Sequence, residues 1–333
     1  MIKIGVIGYG YWGPNIVRNF SSIDRATVLS ICDSTPEALD RAREAYPHIA
    51  VTRDCGDILA SPEIDAVAVI TPVSTHFELA KRALENGKHV FVEKPFTATP
   101  AQAEELITLA EKKKLTIMVD HTFIFTGAVQ KIKQLVDENA LGDLYYYDSV
   151  RVNLGLFQRD VNVIWDLAPH DFAVMDYVLN ERPAAVAACG KAHVNGLEDT
   201  AYVTVLFSNN MIAHFNVNWL SPVKVRTTLI GGEKKMLVWN DLEADEKIKI
   251  YDKGVEVKSR EADYKLRVNY RSGDMYAPRI EQSEALRIET AYFLKCIRES
   301  TTPINDGQSG LRVVKLLAAC SESLVKQGRE IVL

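Results

Sequence analysis

The chain has 333 residues, 47% hydrophobic and 25% charged, an ordinary globular mix that can fill two sizeable cores and excludes disorder as its main state. A net charge of −5, with no visible basic run, argues against a surface built for nucleic acid or an anionic membrane. No stretch approaches the ~18–20 apolar residues of a membrane span, and Met1–Gly10 is too short and too glycine-rich for an export signal, so the cytoplasm is the expected compartment.

In chain order, Lys3–Gly8 is a short apolar run ended by glycine, followed by a helical pattern over Gly13–Phe20. Strands are expected at Ala26–Asp33, Asp65–Thr71, His89–Lys94 and Leu115–His121, and helices at Pro36–Tyr46, His76–Asn86 and Pro100–Lys113. Continuous apolar strands alternating with helices imply a doubly wound parallel sheet, an N-terminal Rossmann domain over 1–122. The remainder, 123–333, reads as a second α/β domain with a large, mostly antiparallel open sheet. Its helices are expected at Gly127–Asn139, Pro169–Leu179, Glu281–Glu299 and Gly310–Lys326. The last of these is a candidate to pack back toward the first domain. Its strands are expected at Leu144–Val152, Ala184–His193, Thr200–Ser208, Ile212–Trp219, Lys224–Gly231, Lys235–Trp239 and Ile248–Tyr251. Asn209-Asn210 reads as a hairpin turn, and Asp252–Ile280 as a long polar loop. The five cysteines (Cys32, Cys55, Cys189, Cys296, Cys320) stand singly, with no zinc-type spacing, and read as small buried hydrophobes; no metal is expected.

Gly8-Tyr9-Gly10-Tyr11-Trp12-Gly13 follows a strand, opens a helix, and has an acid, Asp33, at the end of the next strand, as a dinucleotide fingerprint requires. Gly8 permits the tight turn, Gly10 admits the pyrophosphate to the backbone, and Gly13 lets helix and strand pack closely. The N–H groups at the helix start hold phosphate. Asp33 can accept both ribose hydroxyls and would oppose a 2′-phosphate. Ser34 follows where an Arg would help NADP, so NAD is the expected cofactor.

Glu93-Lys94-Pro95 ends a parallel strand at the edge where such sheets bind ligands. The Lys94 ammonium can hydrogen-bond a substrate hydroxyl and favour its alkoxide during hydride loss; taken alone, it is equally a surface lysine. Asp166 and His170 bracket Pro169, which suits the first position of a helix. His170 would then lie in a first turn whose dipole disfavours imidazolium, leaving a neutral base, with Asp166 sharing or orienting the proton and Asp171 a dipole partner. Asp120, His121 and Thr122 line a pocket or cap a strand. Arg151, Asn153, Gln158 and Arg159 precede Asp166, where an arginine clamps a substrate diphosphate or is a solvated loop charge. Tyr145–Tyr147, Trp219 and Trp239 are explained by core and sheet surface alone.

With these motifs, the whole chain resembles the Gfo/Idh/MocA oxidoreductases, named for glucose–fructose oxidoreductase and inositol dehydrogenase. The markers are the glycine fingerprint, Thr71-Pro72 with His76 downstream, Glu93-Lys94-Pro95, Asp166-x-x-x-His170, and Asn305-Asp306-Gly307 before the last helix. The resemblance implies NAD-dependent oxidation of a sugar or cyclitol hydroxyl, or the reverse, with Lys94, Asp166 and His170 catalytic. The candidate cofactor contacts are Gly8 to Gly13, Asp33, Ser34, Thr71, Pro72, His76, Glu93, Lys94 and Pro95, and the candidate substrate contacts are His121, Arg151, Asn153 and Trp165. Many relatives carry a glycine-rich stretch before the motif aspartate; here Asn162-Val163-Ile164-Trp165 stands there. The Trp-Asp-x-x-Pro-His-Asp form and Gly8–Asn15 are similar to a subgroup acting on nucleotide-linked amino sugars, as in UDP-N-acetylglucosamine 3-dehydrogenation. Rival readings are an inositol or polyol dehydrogenase, a 3-keto-sugar reductase and a non-catalytic NAD(H) sensor, which would need neither Lys94 nor His170. An open sheet with an uncovered apolar face implies a homodimer or homotetramer.

Overall fold

The computed structural model describes residues 1–155, 157–257 and 268–333. The chain divides into two compact units, Met1–Phe125 with Ser283–Lys315, and Thr126–Gln282 with Leu316–Leu333.

The first unit begins with β1 (Ile2–Ile7), α1 (Gly13–Ser21), β2 (Ala26–Cys32), α2 (Pro36–Ala45), β3 (Ala50–Thr52), α3 (Cys55–Leu59) and β4 (Ala66–Val69). It continues with α4 (Val73–Glu85), β5 (His89–Glu93), α5 (Pro100–Lys113) and β6 (Ile117–Asp120), and a 3₁₀ turn at Thr122–Phe125. The six strands are all parallel in the order β3-β2-β1-β4-β5-β6. Parallel strands need both faces covered, and β4 is buried at every position. The strand order reverses between β1 and β4, so their carboxyl ends form the switch point where such sheets bind ligands. β3 and α3 were not expected from the sequence, because three and five residues are too short to display a period.

The second unit contains α6 (Gly127–Asp137), β7 (Leu144–Leu154), α7 (Val163–Val178), β8 (Pro183–Lys191), β9 (Thr200–Phe207), β10 (Ile212–Asn218) and β11 (Leu220–Gly232). Then follow β12 (Met236–Asn240), β13 (Ile248–Val257) and β14 (Val268–Tyr276). The chain closes with α8 (Ala285–Glu299), α9 (Gly307–Val325) and β15 (Ile331–Val332). The nine strands form one sheet in the order β14-β13-β12-β11-β7-β10-β9-β8-β15, antiparallel except for β7 beside β10. β9 and β10 alternate, turning Val203, Val205, Phe215 and Val217 inward; Phe172 of α7 meets Phe215 edge-on at 4.9 Å between centroids. The β9–β10 hairpin turns at Asn209-Asn210 as expected, with Asn209 Oδ1 accepting the Met211 N–H at 3.0 Å. α8 belongs to the first unit: Phe293 packs against Phe20 and Phe91.

Three expectations need correction. The helix carrying the aspartate–histidine pair starts at Val163, not Pro169, so Pro169 is interior. Asn162 caps that earlier start, and eleven buried residues outweigh the ~3 kcal/mol that an interior proline costs. The segment Asp252–Ile280 is not one long loop: β13 runs on to Val257 and β14 pairs with it, while 258–267 lie outside the described residues. Of the five cysteines read as buried, Cys189 is exposed and Cys55 half-buried, whereas Cys32, Cys296 and Cys320 are buried. Among the described residues, no helix is long and apolar enough to cross a membrane.

Candidate active site

In the first unit, the end of β1 enters the glycine-rich turn at Gly8, whose φ is +103°. A Cβ there would lie 2.1 Å from the Ile70 carbonyl oxygen, and one at Gly13 2.4 Å from the Gly8 carbonyl oxygen; both positions exclude a side chain. Around Gly10 the space is open, with nothing within 4 Å of where a Cβ would stand. α1 starts at Gly13, with Pro14 in its first turn and no acidic side chain there to oppose a phosphate. These features fit a dinucleotide: a bare backbone concavity leads into a free helix N-terminus.

Asp33 lies just beyond β2. Its Oδ2 accepts the Tyr9 N–H at 2.7 Å and its Oδ1 the Thr35 N–H at 2.8 Å, which aims the carboxylate and leaves lone pairs for ribose hydroxyls. Tyr9 is buried, Tyr11 is 89% exposed and Ser34 is exposed. Sequence reasoning missed Arg53, whose guanidinium donates to the Ser34 carbonyl at 3.3 Å, while Arg41 reaches the Tyr9 carbonyl at 3.5 Å. Their distance along the chain gave no signal for the first of these.

Thr71 and Pro72 leave β4 at the switch point, and the Thr75 hydroxyl donates to Thr71 Oγ1 at 2.7 Å. His76, expected among the cofactor contacts, is instead fully buried and holds loops together. Its Nε2 faces the Thr71 carbonyl at 2.7 Å and its Nδ1 the Pro95 carbonyl at 2.8 Å. Burial pushes its pKa below the ordinary value, although both carbonyls favour the charged ring. Glu93 ends β5, and Lys94, half-buried, follows it into Pro95 through a cis peptide bond. His121 is buried behind the end of β6.

In the second unit, Asn162 caps α7 by accepting the Trp165 N–H at 3.2 Å and donates to Glu198 at 2.9 Å. Asp166 lies in the first turn and His170 four residues on, so both occupy one helix face. The expected first-turn dipole effect on His170 does not apply, because His170 sits deep in the helix. Pro169 lacks the N–H that would meet the Trp165 carbonyl. Trp219 was assigned to the core; it is buried, yet its indole N–H also donates to Asp166 Oδ2 at 3.1 Å.

Arg151 is neither a solvated charge nor open to a diphosphate: it is buried, donating Nε and Nη2 to Asp171 at 2.6 and 3.1 Å. Asp171 is therefore an ion-pair partner for β7, rather than a first-turn dipole residue. The Trp165 indole N–H is committed to Ser321 Oγ at 2.8 Å, and Asn153 is half-buried near the end of β7.

Two family models match along the chain: the oxidoreductase family with an NAD-binding Rossmann fold over residues 2–121, and the GFO/IDH/MocA C-terminal domain over residues 129–238. The chain belongs to the Gfo/Idh/MocA oxidoreductase family, and NAD is the cofactor of its first domain. UDP-N-acetylglucosamine 3-dehydrogenase of Acidithiobacillus ferrooxidans is 30% identical over 221 residues, 64% of this chain and 66% of that protein. Its structure superposes with a TM-score of 0.80 at 24% identity, covering 98% of each chain, a likeness of fold. Myo-inositol 2-dehydrogenase of Thermotoga maritima is 24% identical over 341 residues, 97% of this chain and 96% of that protein. The chain spans 65%, 51% and 61% of the length of the first three curated relatives that it matches.

Proposed function

We propose that this chain is an NAD-dependent dehydrogenase that oxidises a secondary hydroxyl of a sugar, in the class of nucleotide-linked amino sugars. The observation that carries the reading is a dinucleotide loop with a pre-aimed Asp33 in one unit, and Asp166 with His170 on one face of a capped helix in the other. NAD supplies the hydride acceptor. His170 takes the hydroxyl proton, the Lys94 ammonium stabilises the developing alkoxide, and Asp166, steadied by Trp219, orients the exchange. The carbinol carbon loses a hydride and its oxygen a proton, which leaves a ketone.

The nucleotide-sugar class is supported by the Acidithiobacillus relative. A second reading, a cyclitol or free polyol, is favoured by the Thermotoga relative, whose match runs through nearly the whole chain. NADH formation separates them, measured with UDP-N-acetylglucosamine, UDP-glucose, glucose and myo-inositol. Turnover of the UDP-amino sugar that falls about 10²–10⁴-fold in His170→Ala supports the first reading. Turnover of myo-inositol alone moves the substrate class, and silence with NAD binding intact favours the sensor or a keto-sugar reductase. Lys94→Ala should lower kcat by a comparable factor and change the NAD Kd by less than about threefold. Unchanged turnover would remove Lys94 from the chemistry.

A further inference from the structure

Inside the first unit, residues from four separate segments converge behind the glycine-rich loop. Trp12, the residue that opens α1, donates its indole N–H to Asp120 Oδ2 at 2.8 Å. Asp120 ends β6, is buried, and also accepts the Thr122 hydroxyl at Oδ1. Glu289 on α8 is fully buried, and the negative charge of Asp120 acts on its carboxyl. Asn305, also fully buried, donates its amide to Glu289 Oε1 at 2.9 Å and to the Val119 carbonyl at 2.7 Å. Oε2 of Glu289 is buried and meets no donor.

Two carboxyl groups that feel one another's charge within a core disfavour ionising together. The arrangement places the proton on Glu289, because Asp120 already accepts from the indole and from the hydroxyl. A protonated Oε2 becomes a donor to Asp120, and the oxygen that lacked a partner gains one. Burial first, then the negative charges of Asp120 and of Glu93 at the end of β5, push the Glu289 carboxyl well above its ordinary range.

We propose that Asp120 is a positioning residue for cofactor binding: held in the core at the end of β6, it grips the Trp12 indole and so fixes the glycine-rich loop in its binding geometry. Trp12 lies between Gly10 and Gly13; its carbonyl accepts the Asn15 and Ile16 N–H groups at 3.0 and 3.4 Å within α1, and its indole ties the turn to the end of β6. Anchoring that residue reduces the ordering that the loop must undergo when the pyrophosphate arrives. The inference rests on NAD binding at this loop and is independent of the substrate.

The test is a double-mutant cycle on the NADH Kd, measured by fluorescence titration of the full chain, with melting curves to establish folding. Asn at position 120 offers one acceptor oxygen to donors that now share two. Trp12→Phe and Asp120→Asn should each raise the Kd about tenfold, and the double variant should go little further. Glu289→Gln supplies an amide N–H in place of the carboxyl O–H and should restore the Kd to within about twofold of the parent, whereas Glu289→Ala should raise it. In the NADH-free protein, hydrogen exchange over Gly8–Asn15 should quicken in Trp12→Phe and Asp120→Asn. The effect should fall on KM for NAD, with kcat at saturation little changed. Single effects that multiply to about a hundredfold, an unmoved Kd in Trp12→Phe, or unchanged loop exchange would overturn the proposal. Should Asp120→Asn fail to fold, Trp12→Phe with Glu289→Gln still decides it.

Discussion

Asp33 shows how one carboxylate is prepared for one kind of partner. Two backbone N–H groups hold it in place, and two guanidinium groups, from Arg41 and Arg53, bond to carbonyls beside it. Removing the carboxylate takes away the repulsion toward a 2′-phosphate while leaving both cations. Asp33→Ala should therefore move the ratio of kcat/KM for NAD and NADP toward NADP by about tenfold or more. An unchanged ratio would contradict the ribose role. Trp219 is the second instructive residue. Its indole N–H on Asp166 is one hydrogen bond, and Phe keeps the ring without the donor. Trp219→Phe should lower kcat about tenfold and leave the NAD Kd alone, since the two residues lie in the unit without the dinucleotide loop. A loss confined to NAD affinity would argue against a positioning role.

At the scale of elements, α7 carries the proposed proton exchange, because Asp166 and His170 share its face. Its beginning depends on Asn162, which caps the Trp165 N–H and bonds Glu198. Its flank depends on the buried Arg151–Asp171 pair, which joins it to β7. Asn162→Ala should cost about 1 kcal/mol of stability in urea unfolding. It should also lower kcat, because the first turn carries Asp166. An intact kcat with the expected loss of stability would show that the aspartate is positioned from the sheet side, through Trp219, rather than by the cap. The interior Pro169 is tolerated for the same reason that the helix begins early: burial along α7 exceeds the loss of one backbone hydrogen bond.

Across the whole molecule, a buried acid leaves a signature in the pH dependence of stability. Glu289 is raised in the folded state, so between its ordinary value of 4.5 and its folded value the native chain binds the extra proton. Stability from this group is fully present below the ordinary value and is lost as pH rises through the folded one. Glu289→Gln carries no such proton, so its melting temperature relative to the parent should climb with pH from about 5 upward. A constant difference would place the proton elsewhere. The nine-stranded sheet raises a separate expectation. Tyr202 and Ile212, on the face opposite Val203 and Phe215, are 49% and 43% exposed. We propose that a second copy covers this face. Light scattering at micromolar concentration should give a dimer or tetramer, and a monomer would defeat the proposal.

Five of the six parallel strands, the motifs at their ends, and the glycine fingerprint were legible in the chain because their causes are local. Apolar runs, helix periods and glycine's freedom act over a handful of neighbours, so Gly8, Asp33, Thr71 and Lys94 could be placed at strand ends without coordinates. The start of α7 was misread because a proline is a local signal and the buried face that overrides it is not. The same holds for the partners that orient the site. Trp12 and Asp120 are separated by 108 residues, and Trp219 and Asp166 by 53. His76 in the core, Arg151 on Asp171 and the burial of Glu289 likewise follow from which segments the fold packs together. No periodicity records such meetings; burial and hydrogen-bond demand select them once the sheets have formed.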